Sequence, residues 1–272
     1  EQPQHLAGNV LGIVGLGHAG RWVVALMLPL GLRVIAYDPL IGTDAWPVHG
    51  RVQPVSWAEL LATADIITIH TPLTKAGHFP TFHLFDQAAL AQMKPSAWLL
   101  NAARGAVIDH DALLQDLQQN GRVVALDVWE GEPHIRPDVL ALVRYASPHI
   151  AGHSLEGKWR GTWQIVQAAA AHEGLTLTGS LHDVLPTIGA ETLTWPMTGD
   201  TEADLHALTA QLVDQAGDDE RLRASLHESH PSTAFDALRK HYPVRREFPA
   251  HRLQTVSDET SRKLLIALGF CC

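Results

Sequence analysis

Arg104, Glu132 and His149 are polar residues that each follow an apolar run typical of a buried strand. A guanidinium can bind a carboxylate through two parallel hydrogen bonds. An imidazole can exchange a proton with a hydroxyl group near neutral pH, and a carboxylate beside it can orient the ring. Together the three groups are suited to taking the hydroxyl proton of a 2-hydroxy acid while a hydride acceptor oxidises the same carbon.

A glycine-rich run near the start of the chain could bind that hydride acceptor. Gly15, Gly17 and Gly20 form a G-x-G-x-x-G pattern that follows an apolar run and precedes an amphipathic stretch. Glycines in this pattern allow a tight turn, a close approach of the backbone to a pyrophosphate, and close packing of helix on strand. Asp38 follows the next apolar run, where a carboxylate binds ribose hydroxyls and repels a 2′-phosphate. The pattern therefore predicts binding of NAD rather than NADP.

The elements that must position these residues alternate between strands and helices. This alternation predicts a Rossmann-type doubly wound α/β fold with a parallel sheet. At the carboxyl edge of such a sheet the three polar residues would converge on one ligand crevice. We predict strands at 9–14, 32–37, 65–70, 97–101, 122–128 and 144–146, and helices at 18–28, 57–62, 88–93, 110–120 and 154–173.

The pattern changes after Gly174. A linker at 175–186, a strand at 191–195 and helices at 202–215, 233–242 and 257–268 predict a smaller α+β domain. We therefore divide the chain into a nucleotide-binding domain with a trailing helix (1–174) and a C-terminal domain (175–272). The helix at 154–173 is expected to expose apolar surface.

Composition excludes some classes of function. The formal charge of −9 over 272 residues disfavours a nucleic-acid-binding protein, which needs clustered basic side chains. No run approaches the roughly 20 apolar residues of a membrane span. The cysteines, Cys271 and Cys272, are adjacent and cannot brace a fold, which favours a reducing compartment such as the cytoplasm. No metal site is predicted.

Several motifs resemble those of the D-isomer-specific 2-hydroxy acid dehydrogenases. They are GIVGLG at 12–17, HTPL at 70–73, NAARGAVID at 101–109, LDVWEGEP at 126–133 and HIAGHSLEGKWRGT at 149–162. The stretch FDALRKHYPVRREF at 235–248 is similar to an additional C-terminal dimerisation domain found in one group of that family. The resemblance covers nearly the whole chain.

The resemblance also implies roles for individual residues. His149 would be the proton donor and acceptor, with Arg104 and Glu132 also catalytic. His153, at a position where that group usually has tyrosine, would contact the substrate together with Arg104. The residues expected to bind NAD are Gly15, Gly17, Gly20, Asp38, Thr71, Ala102, Arg104, Asp127 and Gly152.

The implied activity is the NAD-dependent oxidation of 4-phospho-D-erythronate to 2-oxo-3-hydroxy-4-phosphobutanoate, a step of pyridoxal 5′-phosphate (vitamin B6) biosynthesis, by a cytoplasmic homodimer. Relatives carry about a hundred further residues before the dinucleotide fold. We therefore expect NAD binding with slow turnover, or none, if most of the substrate domain is missing. Three alternatives stay open: another D-2-hydroxy acid dehydrogenase, a non-catalytic NADH sensor or partner-binding module, and an inactive truncated product.

Overall fold

The computed structural model describes residues 5–42, 51–186, 189, 191–254 and 256–271. The chain divides into two compact units, each formed from two separate stretches: Glu1–His149 with Gln215–Lys240, and Ile150–Asp214 with His241–Cys272. This division differs from the predicted boundary after residue 174. The physical reason is that Leu222 and Phe235 are buried in the hydrophobic core of the first unit. Cys272 lies outside the described residues.

The first unit contains a seven-stranded parallel sheet, as the strand–helix alternation predicts. Its order is β3-β2-β1-β4-β5-β6-β7. The strands are β1 (Val10–Val14), β2 (Arg33–Tyr37), β3 (Val52–Pro54), β4 (Ile66–Ile69), β5 (Trp98–Asn101), β6 (Val124–Leu126) and β7 (Tyr145–Ala146). All five residues of β1 and all four of β4 are buried. Fully buried central strands explain why these segments read as continuous apolar runs.

Five helices connect the strands. They are α1 (His18–Met27), α2 (Trp57–Thr63), α3 (Gln87–Gln92), α4 (His110–Asn120) and α5 (Pro137–Leu142). Ser56, Asp86 and Asp109 precede α2, α3 and α4, and their side chains accept backbone N–H groups of the first turn. One hydrophobic cluster joins β1 to α1, while the other contains residues of α2 to α5. The sheet is therefore covered by helices on both faces.

Two of these elements were not predicted. Strand β3 has only three residues, one of them Pro54, so it gives almost no alternation signal. Helix α5 is six residues long and begins at Pro137, a residue that favours the first turn of a helix but disfavours its interior. Short elements of this kind are fixed by tertiary packing rather than by their own sequence pattern.

The remaining elements, in chain order, are α6 (Leu155–His172), α7 (Leu181–Val184), β8 (Thr192–Leu193), α8 (Thr201–Ala210), α9 (Gln215–Ser225), α10 (Pro231–Lys240), β9 (Arg252–Leu253) and α11 (Glu259–Ala267). Of these, α9 and α10 belong to the first unit. Ser154 caps α6, and Ile165 on that helix is 72% exposed, which confirms the expected apolar surface. Among the described residues, no helix combines the length and the apolar character that a membrane span requires.

Candidate active site

The glycine-rich turn has the geometry that its sequence pattern requires. Gly15 adopts a positive φ of 92°, and a Cβ atom on it would lie 2.9 Å from the carbonyl oxygen of His70. A Cβ on Gly20 would lie 2.0 Å from the carbonyl oxygen of Gly15, so helix and turn are in close contact. A Cβ on Gly17 would meet nothing within 4 Å. The backbone at Gly17 is therefore the part of the turn that a ligand can approach.

A cavity of about 620 Å³ lies beside this turn, lined by Gly15, Gly17, Asp38, Thr71 and other residues of the first unit. Asp38 accepts the N–H of Leu16 at 2.8 Å, which places its carboxylate against the glycine-rich turn. The buried hydroxyl oxygen of Thr71 has no hydrogen-bond partner within the described residues. An unpaired polar group in a ligand-sized cavity fits a dinucleotide that offers hydroxyl and phosphate groups.

Arg104 lies on a loop that is held in place from both sides. The buried Asn101 side chain donates to the carbonyl of Arg104 and accepts the N–H of Ala103, both at 3.0 Å. Gly105 packs so closely on the following loop that a Cβ would lie 2.0 Å from the carbonyl carbon of Trp129. The Arg104 loop is therefore fixed against the loop that leads to Glu132. The guanidinium itself is exposed and donates to the Ala103 carbonyl at 2.6 Å.

Glu132 and His149 are in direct contact. Nδ1 of His149 lies 2.7 Å from Oε1 of Glu132, and each side chain is about three-quarters buried. An ionised carboxylate can only accept a hydrogen bond, so this contact places a proton on Nδ1 and leaves Nε2 to exchange a proton with a ligand. The other carboxylate oxygen, Oε2, is buried and has no hydrogen-bond partner among the described residues.

The backbone around His149 is tied to the ends of neighbouring strands. The N–H of His149 donates to the carbonyl of Asp127 at 2.7 Å, and the hydroxyl of Ser147 donates to the Asp127 carboxylate at 2.6 Å. The indole N–H of the buried Trp129 donates to the Ser147 carbonyl at 3.0 Å. These contacts join the loops after β6 and β7. Asn101, Trp129 and Ser147 were not assigned roles from the sequence.

The predicted cofactor residues are distributed over separate places. Gly15, Gly17, Asp38 and Thr71 line the large cavity, whereas Ala102 and Asp127 line a smaller one of about 170 Å³ at the carboxyl ends of β4 to β7. Gly152 and His153 belong to the second unit, where the ring of His153 packs edge-on at 6.0 Å from Tyr242. Within the first unit, the predicted residues thus lie along the carboxyl edge of the sheet.

A cluster among the described residues could ligate a metal, although no metal site was predicted. Ligand atoms of His83, Asp109 and Glu130 lie within 4.8 Å of one another. Nε2 of His83 is 2.5 Å from Oε1 of Glu130, and Nδ1 is 3.5 Å from Oδ2 of Asp109. Each ring nitrogen therefore faces a carboxylate oxygen. The cluster is explained as an acid–histidine–acid bridge that joins His83 to the start of α4.

Two histidines of the first unit have a pKa well below the ordinary value for the residue. Burial lowers the pKa of His70, which lines the large cavity, to about 4. Burial likewise lowers the pKa of His110 to about 4, and neither of its ring nitrogens has a hydrogen-bond partner among the described residues. Removing a charged imidazole from water is costly, and Nε2 of His70 contacts an uncharged partner, the Thr68 hydroxyl at 2.9 Å, so both rings are neutral at pH 7.

Comparisons with known proteins agree with this geometry. Residues 1–151 match the family described as D-isomer specific 2-hydroxyacid dehydrogenase, NAD binding domain, and residues 184–269 match a domain of unknown function (DUF3410). The chain is 43% identical over 267 residues to "Erythronate-4-phosphate dehydrogenase" of Pseudomonas paraeruginosa, covering 97% of this chain and 69% of that protein.

Two solved structures are also similar. One is a glyoxylate reductase from Paecilomyes thermophila, with a TM-score of 0.55 and 29% identity over 64% of this chain and 52% of that one. The other is the NAD-complexed D-isomer specific 2-hydroxyacid dehydrogenase of Lactobacillus delbrueckii ssp. bulgaricus, with a TM-score of 0.53 and 28% identity over 64% and 55% of the two chains.

The parallel sheet, the glycine-rich turn and the cavity beside it define an NAD-dependent oxidoreductase. The chain belongs to the D-isomer specific 2-hydroxyacid dehydrogenase family.

Proposed function

We propose that this protein oxidises 4-phospho-D-erythronate at its 2-hydroxyl group, with NAD as the acceptor, as a step in pyridoxal 5′-phosphate biosynthesis. The observation that carries the proposal is the 2.7 Å contact between His149 and Glu132, in the same unit as the dinucleotide turn. The substrate class is supported by the likeness, over 97% of this chain, to a protein named erythronate-4-phosphate dehydrogenase.

His149 is the proposed base. Its Nε2 accepts the proton of the substrate hydroxyl, while Glu132 holds the ring through Nδ1 and stabilises the imidazolium that forms. In the reverse direction the same imidazolium returns the proton. When bound, NAD supplies the hydride acceptor. Atoms and charge balance because the hydroxyl loses a proton to His149 and its carbon loses a hydride.

Arg104 is the proposed clamp for the substrate carboxylate. Its exposed guanidinium can form two parallel hydrogen bonds with the carboxylate, which fixes the orientation of the C2 hydrogen. His153 is the proposed additional substrate contact.

The proposed NAD ligands are the three glycines of the turn, Asp38, Thr71, Ala102, Arg104, Asp127 and Gly152. The acidic Asp38 beside the turn favours NAD over NADP because it would repel a 2′-phosphate. We also propose a cytoplasmic homodimer joined through the C-terminal region, on the similarity of residues 235–248 to a dimerisation domain.

The roles of His149 and Glu132 are tested by H149Q and E132Q, with H227Q as the control because His227 is exposed. NADH formation from 4-phospho-D-erythronate should fall about a hundredfold or more in the first two variants, since general acid–base catalysis contributes 10²–10⁴-fold. Fluorescence titration should give unchanged NADH affinity in all three. Wild-type turnover by H149Q would contradict the proposal.

The substrate is tested with a panel that includes D-3-phosphoglycerate, D-glycerate and D-lactate. The highest kcat/KM should be that for 4-phospho-D-erythronate. Preference for another acid would show that the protein is a different dehydrogenase of the family. NADH binding without oxidation of any acid would instead favour a sensor or a partner-binding module.

A further inference from the structure

Helix α10 contacts the residue that we propose as the base. The side chain of Arg239 donates from Nε to the backbone carbonyl of His149 at 3.4 Å, across a separation of 90 residues. Both residues lie in the first unit. Arg239 belongs to the stretch that matches a domain of unknown function.

His149 needs external support because its backbone is strained. Its φ is +57°, in the left-handed region that residues with a side chain rarely occupy. Such a conformation is energetically unfavourable and persists only where neighbouring groups hold it in place. The N–H is held by the carbonyl of Asp127, and the ring by Glu132. The Arg239 contact holds the other backbone polar group, the carbonyl.

Arg239 reaches this carbonyl because its helix is anchored in the core. Phe235, one helical turn earlier, is 1% exposed and belongs to the hydrophobic cluster of the first unit. Residues four apart lie on the same helix face, so burial of Phe235 directs Arg239 towards the same surface. Leu238 also packs against this cluster.

The preceding helix holds the strand that leads to His149. On α9, Asp219 accepts the N–H of Ala146 at 2.8 Å, and Arg223 donates to the carbonyls of Leu140 and Val143 at 2.6 and 2.9 Å. Strand β7 ends at Ala146, three residues before His149. Segment 215–240 therefore restrains the chain both before strand β7, at Leu140 and Val143, and after it, at His149.

We infer that Arg239 is a positioning residue for proton transfer, and that segment 215–240 is an integral part of the dehydrogenase site. The inference rests on the proposed function. Arg239 acts by holding the backbone of His149 so that Nε2 faces the substrate hydroxyl while Nδ1 stays on Glu132. A small displacement of a proton-transfer group lowers the rate steeply.

The variants are R239L and R239M, which remove the donor, and R239K, which keeps a cationic donor. K240Q is the matched control, because Lys240 is the exposed neighbour and its loss removes the same charge from the same helix end. R239L and R239M should lower kcat about tenfold while KM for NAD stays within about twofold. R239K should recover most of the rate, and K240Q should equal the wild type.

A second readout does not depend on turnover. In protein labelled with ¹³C at the histidine Cε1, the signal of His149 is identified by its loss in H149Q. R239L and R239M should shift this signal, whereas R239K and K240Q should leave it close to its wild-type position. The use of two donor-removing variants means that the result does not depend on the folding of one.

The outcomes separate the inference from the proposed function. Wild-type kcat and an unmoved His149 signal in R239L and R239M would overturn the inference while leaving the proposed function intact. Equal effects of K240Q and R239L would also overturn it, since charge rather than the contact would be responsible. Undiminished turnover by H149Q would instead remove the proposed function on which the inference rests.

Discussion

At the residue scale, the site is built from a few positions where the backbone must come very close to another segment. Gly105 is the clearest of these, because it presses on the backbone of Trp129 between the loops that carry Arg104 and Glu132. Any side chain at this position would separate the two loops. The identity of residue 105 therefore determines whether the proposed clamp and the proposed His–Glu pair share one site.

This feature predicts opposite effects for two glycine substitutions. G105A should lower the free energy of unfolding by about 3 kcal/mol or more and abolish turnover, because its Cβ would lie 2.0 Å from a backbone carbon. G161A is the control. Its Cβ meets nothing within 4 Å in helix α6, and the change should stabilise the protein by about 0.5–1 kcal/mol. Urea unfolding measures both, and a G105A protein as stable as the wild type would show that this contact is not required.

The functional residues that can be predicted from the sequence are those whose residue type and spacing alone indicate a chemical role. A glycine-rich turn between an apolar strand and a helix, followed by Asp38, indicates dinucleotide binding without knowledge of the packing. Arg239 gave no such signal. An arginine on a helix is ordinary, and its role depends on Phe235 being buried in the core of a unit whose other residues lie far earlier in the chain.

At the element scale, helix α9 supplies what an edge strand lacks. Strand β7 is the last strand of the sheet, so one side of its backbone has no neighbouring strand. The Asp219 carboxylate accepts a hydrogen bond from the N–H of Ala146 and forms an ion pair with Arg223. Arg223 in turn donates hydrogen bonds to two carbonyls at the end of α5. At Ala146, a side chain of α9 therefore accepts the hydrogen bond that the backbone of a further strand would otherwise accept.

We predict that D219A lowers the free energy of unfolding by about 1–3 kcal/mol, because it leaves a partly buried N–H without an acceptor and breaks the pair with Arg223. Hydrogen exchange at the Ala146 amide should become faster. E220A, at the exposed neighbouring position, should change the stability by less than about 0.5 kcal/mol. Equal stability of D219A and E220A would show that the hydrogen bond from Ala146 to Asp219 does not stabilise strand β7.

The elements themselves were predictable to different degrees. Strands β1, β2, β4 and β5 and helices α1, α4 and α6 have strong patterns and lie close to their predicted positions. Helix α9 was not predicted, and the sequence pattern placed α10 in a separate domain. A hydrophobic pattern identifies the face of a helix that is buried but not the core in which it is buried.

At the scale of the whole molecule, the two neutral histidines make the stability of the fold depend on pH. His70 and His110 each have a folded-state pKa of about 4, below the value of about 6.5 that an unfolded chain gives. The unfolded state therefore binds more protons as the pH falls. The stabilisation is fully present above pH 6.5 and is lost between about pH 6.5 and 4.

We expect the free energy of unfolding to fall by on the order of 2 kcal/mol per histidine between pH 6.5 and 5, because each pH unit corresponds to about 1.4 kcal/mol for one proton. H110L should reduce this slope, whereas H227L, at an exposed position, should keep it. Urea unfolding at pH 7, 6 and 5 measures the slopes. The same slope in H110L and the wild type would refute the assignment to His110.

The first unit is completed by residues 215–240, which are synthesised long after its sheet. The last strand of its sheet ends at Ala146, but helices α9 and α10, which contact β7 and His149, end only at Lys240. At a synthesis rate of about 5–20 residues per second, the nascent chain carries an open sheet edge for several seconds or longer before α9 and α10 emerge. During this interval the unpaired edge of β7 can pair with strands of other chains, so aggregation is expected to be most frequent before α9 and α10 are made.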